Sequence, residues 1–172
     1  VSAPDGYVVA TDVEFIVDAN GKVTEVTMLD DTTKLHVTKK DITGEKELAG
    51  ASLELYAAER DANGNYIRKG DAVEKWTSTD KAHEIIGVLT AGETYTLHEV
   101  SAPNGYVVAA DASFTVNTDG SLNVVSMYDD TTKVSISKTD ITTGSALAGA
   151  TLQIIDQNDN VIEEWVSTEE AH

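Results

Sequence analysis

The sequence predicts an all-β protein built as antiparallel β-sandwiches in tandem, and three observations predict it. Most of the text occurs twice: VSAPDGYVVA at Val1 returns as VSAPNGYVVA at Val100, MLDDTTK at Met28 as MYDDTTK at Met127, and KKDITGEKELAGA at Lys39 as KTDITTGSALAGA at Lys138. Each offset is about 99 residues, the size of one small domain rather than of a solenoid unit. Apolar residues recur with period two, and Asn-Gly or Asp-Gly turn signals separate the alternating stretches at roughly ten-residue spacing.

The elements follow in order. DDTTK at Asp30–Lys34 and again at Asp129–Lys133 stands before an alternating stretch in each copy, which makes it the junction between repeats. One complete domain is therefore expected over 35–133. Residues 1–34 read as the C-terminal part of a preceding repeat, and 134–172 as the N-terminal part of a following one. In the complete copy Leu35, Val37 and Lys39 alternate with His36, Thr38 and Lys40. Ser52–Tyr56, Tyr95–Glu99 and Ser113–Val116 alternate likewise. Asn63-Gly64-Asn65 and Asp119-Gly120 supply hairpin turns, because Asn and Gly tolerate positive φ. Asp80–Ile85 alone hints at a helical turn. The last copy is trimmed: LYAAERDANGNYIRKGDAVEKW becomes IIDQNDNVIEEW, a loss of about ten residues. Trp76 and Trp165 fall in register and read as core anchors.

Composition narrows the function. Of 172 residues 41% are hydrophobic and 24% charged, a globular balance. A net charge of −18 argues against nucleic acid and anionic membranes, both of which need clustered Lys and Arg. The absence of cysteine excludes disulfides, thiolate metal sites and a thiol nucleophile. No apolar run is long enough to span a membrane, and any targeting or anchoring segment is expected outside this fragment. Asp61, Asn63 and Asn65, like Asp156, Asn158 and Asn160, space like the start of a calcium loop. Their Gly is misplaced, however, and no bidentate Glu follows, so turns are expected and neither metal nor cofactor. His36, His83, His98 and His172 form no ligand spacing.

Parity raises a chemical question. Side chains alternate across a strand, so residues sharing parity with the apolar set face the core. The inward series are Leu35, Val37, Lys39; Tyr95, Leu97, Glu99; and Val125, Met127, Asp129. Each ends in an ionisable residue. The flanking copies repeat the pattern as Val26, Met28, Asp30 and as Val134, Ile136, Lys138. The plain reading is a buried ion pair with a third charge. Such a triad stabilises no better than apolar groups of equal volume. Burial also lowers a Lys pKa and raises a carboxyl pKa. A neutral amine beside a neutral carboxylic acid is a nucleophile beside an electrophile, and a second carboxyl able to shuttle protons completes an amide-forming site.

These residues resemble a known family. Lys39-Lys40-Asp41, Glu47-Leu48-Ala49-Gly50-Ala51, Trp76, Glu99-Val-Ser-Ala-Pro-Asn-Gly-Tyr106 and the closing Met127-Tyr128-Asp129 are similar, in that order, to a Cna protein B-type domain. This is the SpyCatcher-like collagen-adhesin B-repeat, with an Ig-like or prealbumin-like sandwich. The resemblance implies an isopeptide bond between Lys39 and Asp129, with Glu99 as the catalytic proton shuttle. Asp130 adjoins the bonding position, and parity favours Asp129. Asp30 and Lys138 are the matching positions in the partial repeats, without a matching Glu.

The reading that results is a stalk or shaft repeat of a Gram-positive surface adhesin or pilus. It is expected outside the cell, anchored to the wall, and not to be a turnover enzyme. Its expected partners are neighbouring repeats, including head-to-tail self-association in which the two partial repeats of different chains complete each other. The alternative is a ligand-binding adhesin module for a host matrix protein, with the Ala57–Lys75 insertion as its surface. An uncrosslinked structural repeat would differ from the first reading by one water in mass.

Overall fold

The structure is a computed structural model and describes residues 2–172. It divides into two compact units, one reaching to Thr132 and the other covering Lys133–His172. All regular elements are strands: β1 Lys34–Asp41, β2 Ser52–Arg60, β3 Tyr66–Thr77, β4 His83–Ile86, β5 Thr94–Ser101, β6 Tyr106–Val107, β7 Ala112–Thr115, β8 Leu122–Thr131, β9 Thr151–Ile155 and β10 Val161–Val166.

In the first unit two four-stranded sheets, ordered β4-β1-β8-β6 and β3-β2-β5-β7, form a sandwich. Leu35 and Val37 from β1, Leu53 and Leu55 from β2, Leu97 from β5 and Met127 from β8 fill it and are buried. Burying one such side chain contributes about 1.5–3 kcal/mol, which is why the alternating pattern fixes the register. Pairing is antiparallel with one exception: β1 runs parallel to β8, with Leu35 opposite Asn123 and Lys39 opposite Met127. Hairpin logic predicts antiparallel neighbours, but no hairpin joins these two strands. They are the first and last of the sandwich, and the long path between them leaves their direction free.

The segment Asp80–Ile85 departs from its sequence reading. It bends and then enters β4, where His83 pairs with Val37 and Ile85 with Leu35 in antiparallel register. Ile85 is buried, and the apolar area it removes from water outweighs a weak local preference for a turn. Before β1, residues 2–33 form no strand. Tyr7 bridges Thr32, the Val8 amide donates to Asp31, and the Thr33 hydroxyl donates to the Leu89 carbonyl at 2.8 Å. This ties the segment to one pole of the sandwich. There Gly6 lies so close to the Gly87 carbonyl, at a φ of +83°, that any side chain would collide with backbone.

The second unit is a hairpin of β9 and β10, with Leu152 opposite Trp165. Both candidate calcium loops are tight turns. The Asp61 carboxylate accepts the amides of Asn63 and Asn65, and Asp156 accepts those of Asn158 and Asn160, at 2.8–2.9 Å. The Asn65 amide for Asp61, and the Asn160 side chain followed by the backbone amides for Asp156, hold both carboxyls below the usual carboxylate range.

Candidate functional site: a buried amine between two carboxyls

Three strands bring Lys39, Glu99 and Asp129 together inside the sandwich. Each is at most 2% exposed, although all three are ionisable. On β1 the inward parity of Leu35 and Val37 carries Lys39 into the core. On β8 the parity of Met127 carries Asp129 to the same face. Because the strands are parallel, with Lys39 opposite Met127 and Asp41 opposite Asp129, the Lys39 stem needs to lean only one pleat to reach the carboxyl. Its Nζ touches Asp129 Oδ1 and lies 3.1 Å from Glu99 Oε1.

Glu99 arrives from the opposite sheet with a local irregularity. Ser52 pairs with Ser101 but Leu53 pairs with Glu99, so one extra residue of β5 bulges out beside it. Bulges of this kind re-aim a side chain. Glu99 Oε2 accepts the Ala109 amide at 2.6 Å, while Glu99 Oε1 and Asp129 Oδ2 are buried without a hydrogen-bond partner among the described residues. Lys39 thus lies near Glu99 Oε1 as a charge rather than as an aligned donor.

Burial pushes the Glu99 carboxyl pKa above its ordinary value. The Ala109 amide and the nearby Lys39 oppose this rise, and the neighbouring Asp129 carboxyl reinforces it. The rise favours the neutral form of Glu99, the form an apolar compartment tolerates. Chemically the three groups are an amine in contact with a carboxyl carbon's oxygen, and a second carboxyl able to carry protons between them.

Sequence reasoning did not find the supports of this cluster. Glu47 accepts the backbone amide of Lys39 at 2.9 Å, and the Leu48 amide donates to the Lys39 carbonyl at 2.6 Å, pinning the end of β1. The signal was present: the equivalent residue of the last copy is Ala146, a difference inside an otherwise repeated motif. Trp76, read as a core anchor, flanks the core half-buried and stacks on His83.

The matching residues of the flanking copies stand elsewhere. Asp30 is exposed and accepts the Ala10 amide at 3.2 Å. Lys138 is exposed too, and its carbonyl accepts the Leu147 amide at 2.8 Å. His36 and His98 point outward as parity requires, to Glu84 at 3.0 Å and to Asp111 at 2.7 Å.

A structure of the Bacillus anthracis TIE protein covers 100% of this chain at 22% identity and a TM-score of 0.50, and the chain spans 32% of that protein. The shaft pilin SpaA of Lactobacillus rhamnosus GG covers 78% of the chain at 18% identity and a TM-score of 0.45, with 61% of the pilin matched. The pilus adhesin SpaC of the same organism covers 60% at 22% identity and a TM-score of 0.45, with 15% of the adhesin matched. No curated protein matches the chain. The SpaA prealbumin-like fold domain matches twice, over residues 33–131 and 132–172, and the chain belongs to that family.

Proposed function

We propose that residues 35–133 form one structural repeat, locked by an autocatalytic amide between Lys39 and Asp129, in the stalk or shaft of a Gram-positive surface adhesin or pilus. The observation that carries this reading is the amine of Lys39 held against the Asp129 carboxyl beside Glu99, all three buried.

The chemistry balances without a cofactor. Lys39 hands a proton toward Asp129 through Glu99, and the neutral amine attacks Asp129 Cγ. The Cγ–Oδ bond breaks, and the oxygen leaves as water with two protons from the original ammonium. Glu99 ends as it began. Its raised pKa favours the protonated form from which a proton can be passed on. The bond would join the first and last strands, the place where a cysteine-free sandwich most lacks a staple. Family membership, tandem repetition and strong negative charge support a surface array, with neighbouring repeats as its partners.

Intact-mass measurement tests the reading. The folded chain should weigh about 18 Da less than its sequence, one water for one bond. Full mass would reduce the cluster to an ion pair.

A further inference from the structure

A partly open pocket leads from solvent to Lys39. A cavity of about 50 Å³, room for water, reaches it between Val37, Leu53, Trp76, Ser78 and His83. Two stacked rings form part of its wall: Trp76 and His83 lie 4.4 Å apart at 11°, and His83 Nε2 is 2.7 Å from Glu74 Oε1. The stack lies level with the reactive groups. Trp76 is opposite Leu53, which is opposite Glu99, and His83 is opposite Val37, two residues before Lys39. It also joins β3 and β4, edge strands of the two sheets, so it closes that side of the sandwich. Ser78 fastens the connecting loop, accepting the Ala51 amide at 2.9 Å and donating to the Leu48 carbonyl at 2.7 Å.

The same device stands in the second unit. Trp165 and His172 stack at 4.5 Å and 12°, His172 Nε2 is 2.7 Å from Glu163 Oε1, and Ser167 makes the same two bonds, to Ala150 and Leu147. Lys138 is exposed there. The stack therefore forms from its own short sequence, Glu-x-Trp-x-Ser-Thr-x-x-Ala-His, and not as a by-product of packing around a buried amine.

We propose that the Glu74–His83–Trp76 stack is a solvent gate for the amide-forming centre: it keeps bulk water from Lys39, and the cavity beneath it takes up the water that condensation releases. The inference rests on the amide reading above. Lys39 and Glu99 are both buried, and a breach in this wall would rehydrate them. None of the three residues contacts the reacting carboxyl, so they are positioning residues.

Labelling of Lys39 by a small amine-reactive reagent, read by peptide mass mapping, tests the gate directly. In an Asp129→Ala chain, which cannot form the bond, His83→Ala and Trp76→Ala should each raise Lys39 labelling about tenfold, and Trp76→Phe should restore protection. With Asp129 intact, His83→Ala should slow the mass loss after refolding while circular dichroism stays unchanged. His83 is partly exposed, so this variant reports even if Trp76→Ala fails to fold. Unchanged Lys39 labelling when His83→Ala is added to Asp129→Ala, with the unsubstituted chain losing its water, overturns the gate alone. Full mass in the unsubstituted chain overturns the amide reading and the gate's role with it.

Discussion

Met28 and Met127 occupy the same place in two copies of one sequence, yet Met28 is 56% exposed and Met127 2%. Asp30 and Asp129 differ in the same sense, as do Lys138 and Lys39. What the copies share is local. The Tyr7 amide donates to Pro4 at 3.1 Å as the Tyr106 amide does to Pro103, and both tyrosines pair with the threonine 25 positions on. What they do not share is the opposing sheet. Turns, hairpins and ring stacks are written in a few neighbouring residues and appear wherever those residues stand. A buried amine between two carboxyls is written across ninety residues and appears only where both sheets are present.

The sharpest way to break this comparison is to remove the bond where it is expected. Asp129→Ala should keep the full sequence mass and lower stability by about 4.6 kcal/mol, the loop-closure value for a link spanning 90 residues. Breaking a buried ion pair alone costs a similar 3–5 kcal/mol or so, so mass and not melting temperature distinguishes the readings. Glu99→Gln should leave the fold intact and slow bond formation on the order of 10²–10⁴-fold, followed by mass against time after refolding. A normal rate would make Glu99 structural only.

The flanking copies should respond weakly. Asp30→Ala and Lys138→Ala should change stability by no more than about 0.5 kcal/mol and leave the mass deficit untouched, because neither residue is buried against a partner group. The apolar side chains exposed on both copies, Phe15, Ile16 and Val161 among them, should drive concentration-dependent head-to-tail association, visible by size exclusion. That association should not become covalent over the time in which Lys39 reacts. A covalent dimer lost in Asp30→Ala would show that the cluster can assemble between chains.

The smallest effect is the pH dependence of Glu99. Its folded pKa lies above the ordinary 4.5, so its contribution to stability is complete below that value and is lost as pH rises through the raised one. In Lys39→Met, which cannot crosslink, the denaturant midpoint should fall over this window. Adding Glu99→Gln should remove Glu99's share of the slope.

Parity made the three buried charges legible because a period of two is a local property. Leu35, Val37 and Lys39 could be read inward without knowing what they face. The pairing partners were not legible. That β1 lies parallel to β8 follows from sheet order, and that Asp80–Ile85 leads into a strand follows from an empty edge beside β1. Glu47 and the Ala109 amide escaped because their roles are hydrogen bonds to backbone, which leave no periodic trace. Trp76 was located correctly in the repeat but not assigned its ring partner seven residues on.

The parallel register has a consequence for reach. The chain enters the sandwich at Lys34, level with Leu122, and leaves at Thr131, so it exits at the opposite pole after advancing about 30 Å. A repeat of about 99 residues pulled straight would span roughly 330 Å. Were the proposed amide to close ninety of those residues between Lys39 and Asp129, tension would pass from one strand to its neighbour through that single bond. Only about nine residues per repeat would remain free to stretch, and an array of such units would lengthen under load hardly beyond its folded span.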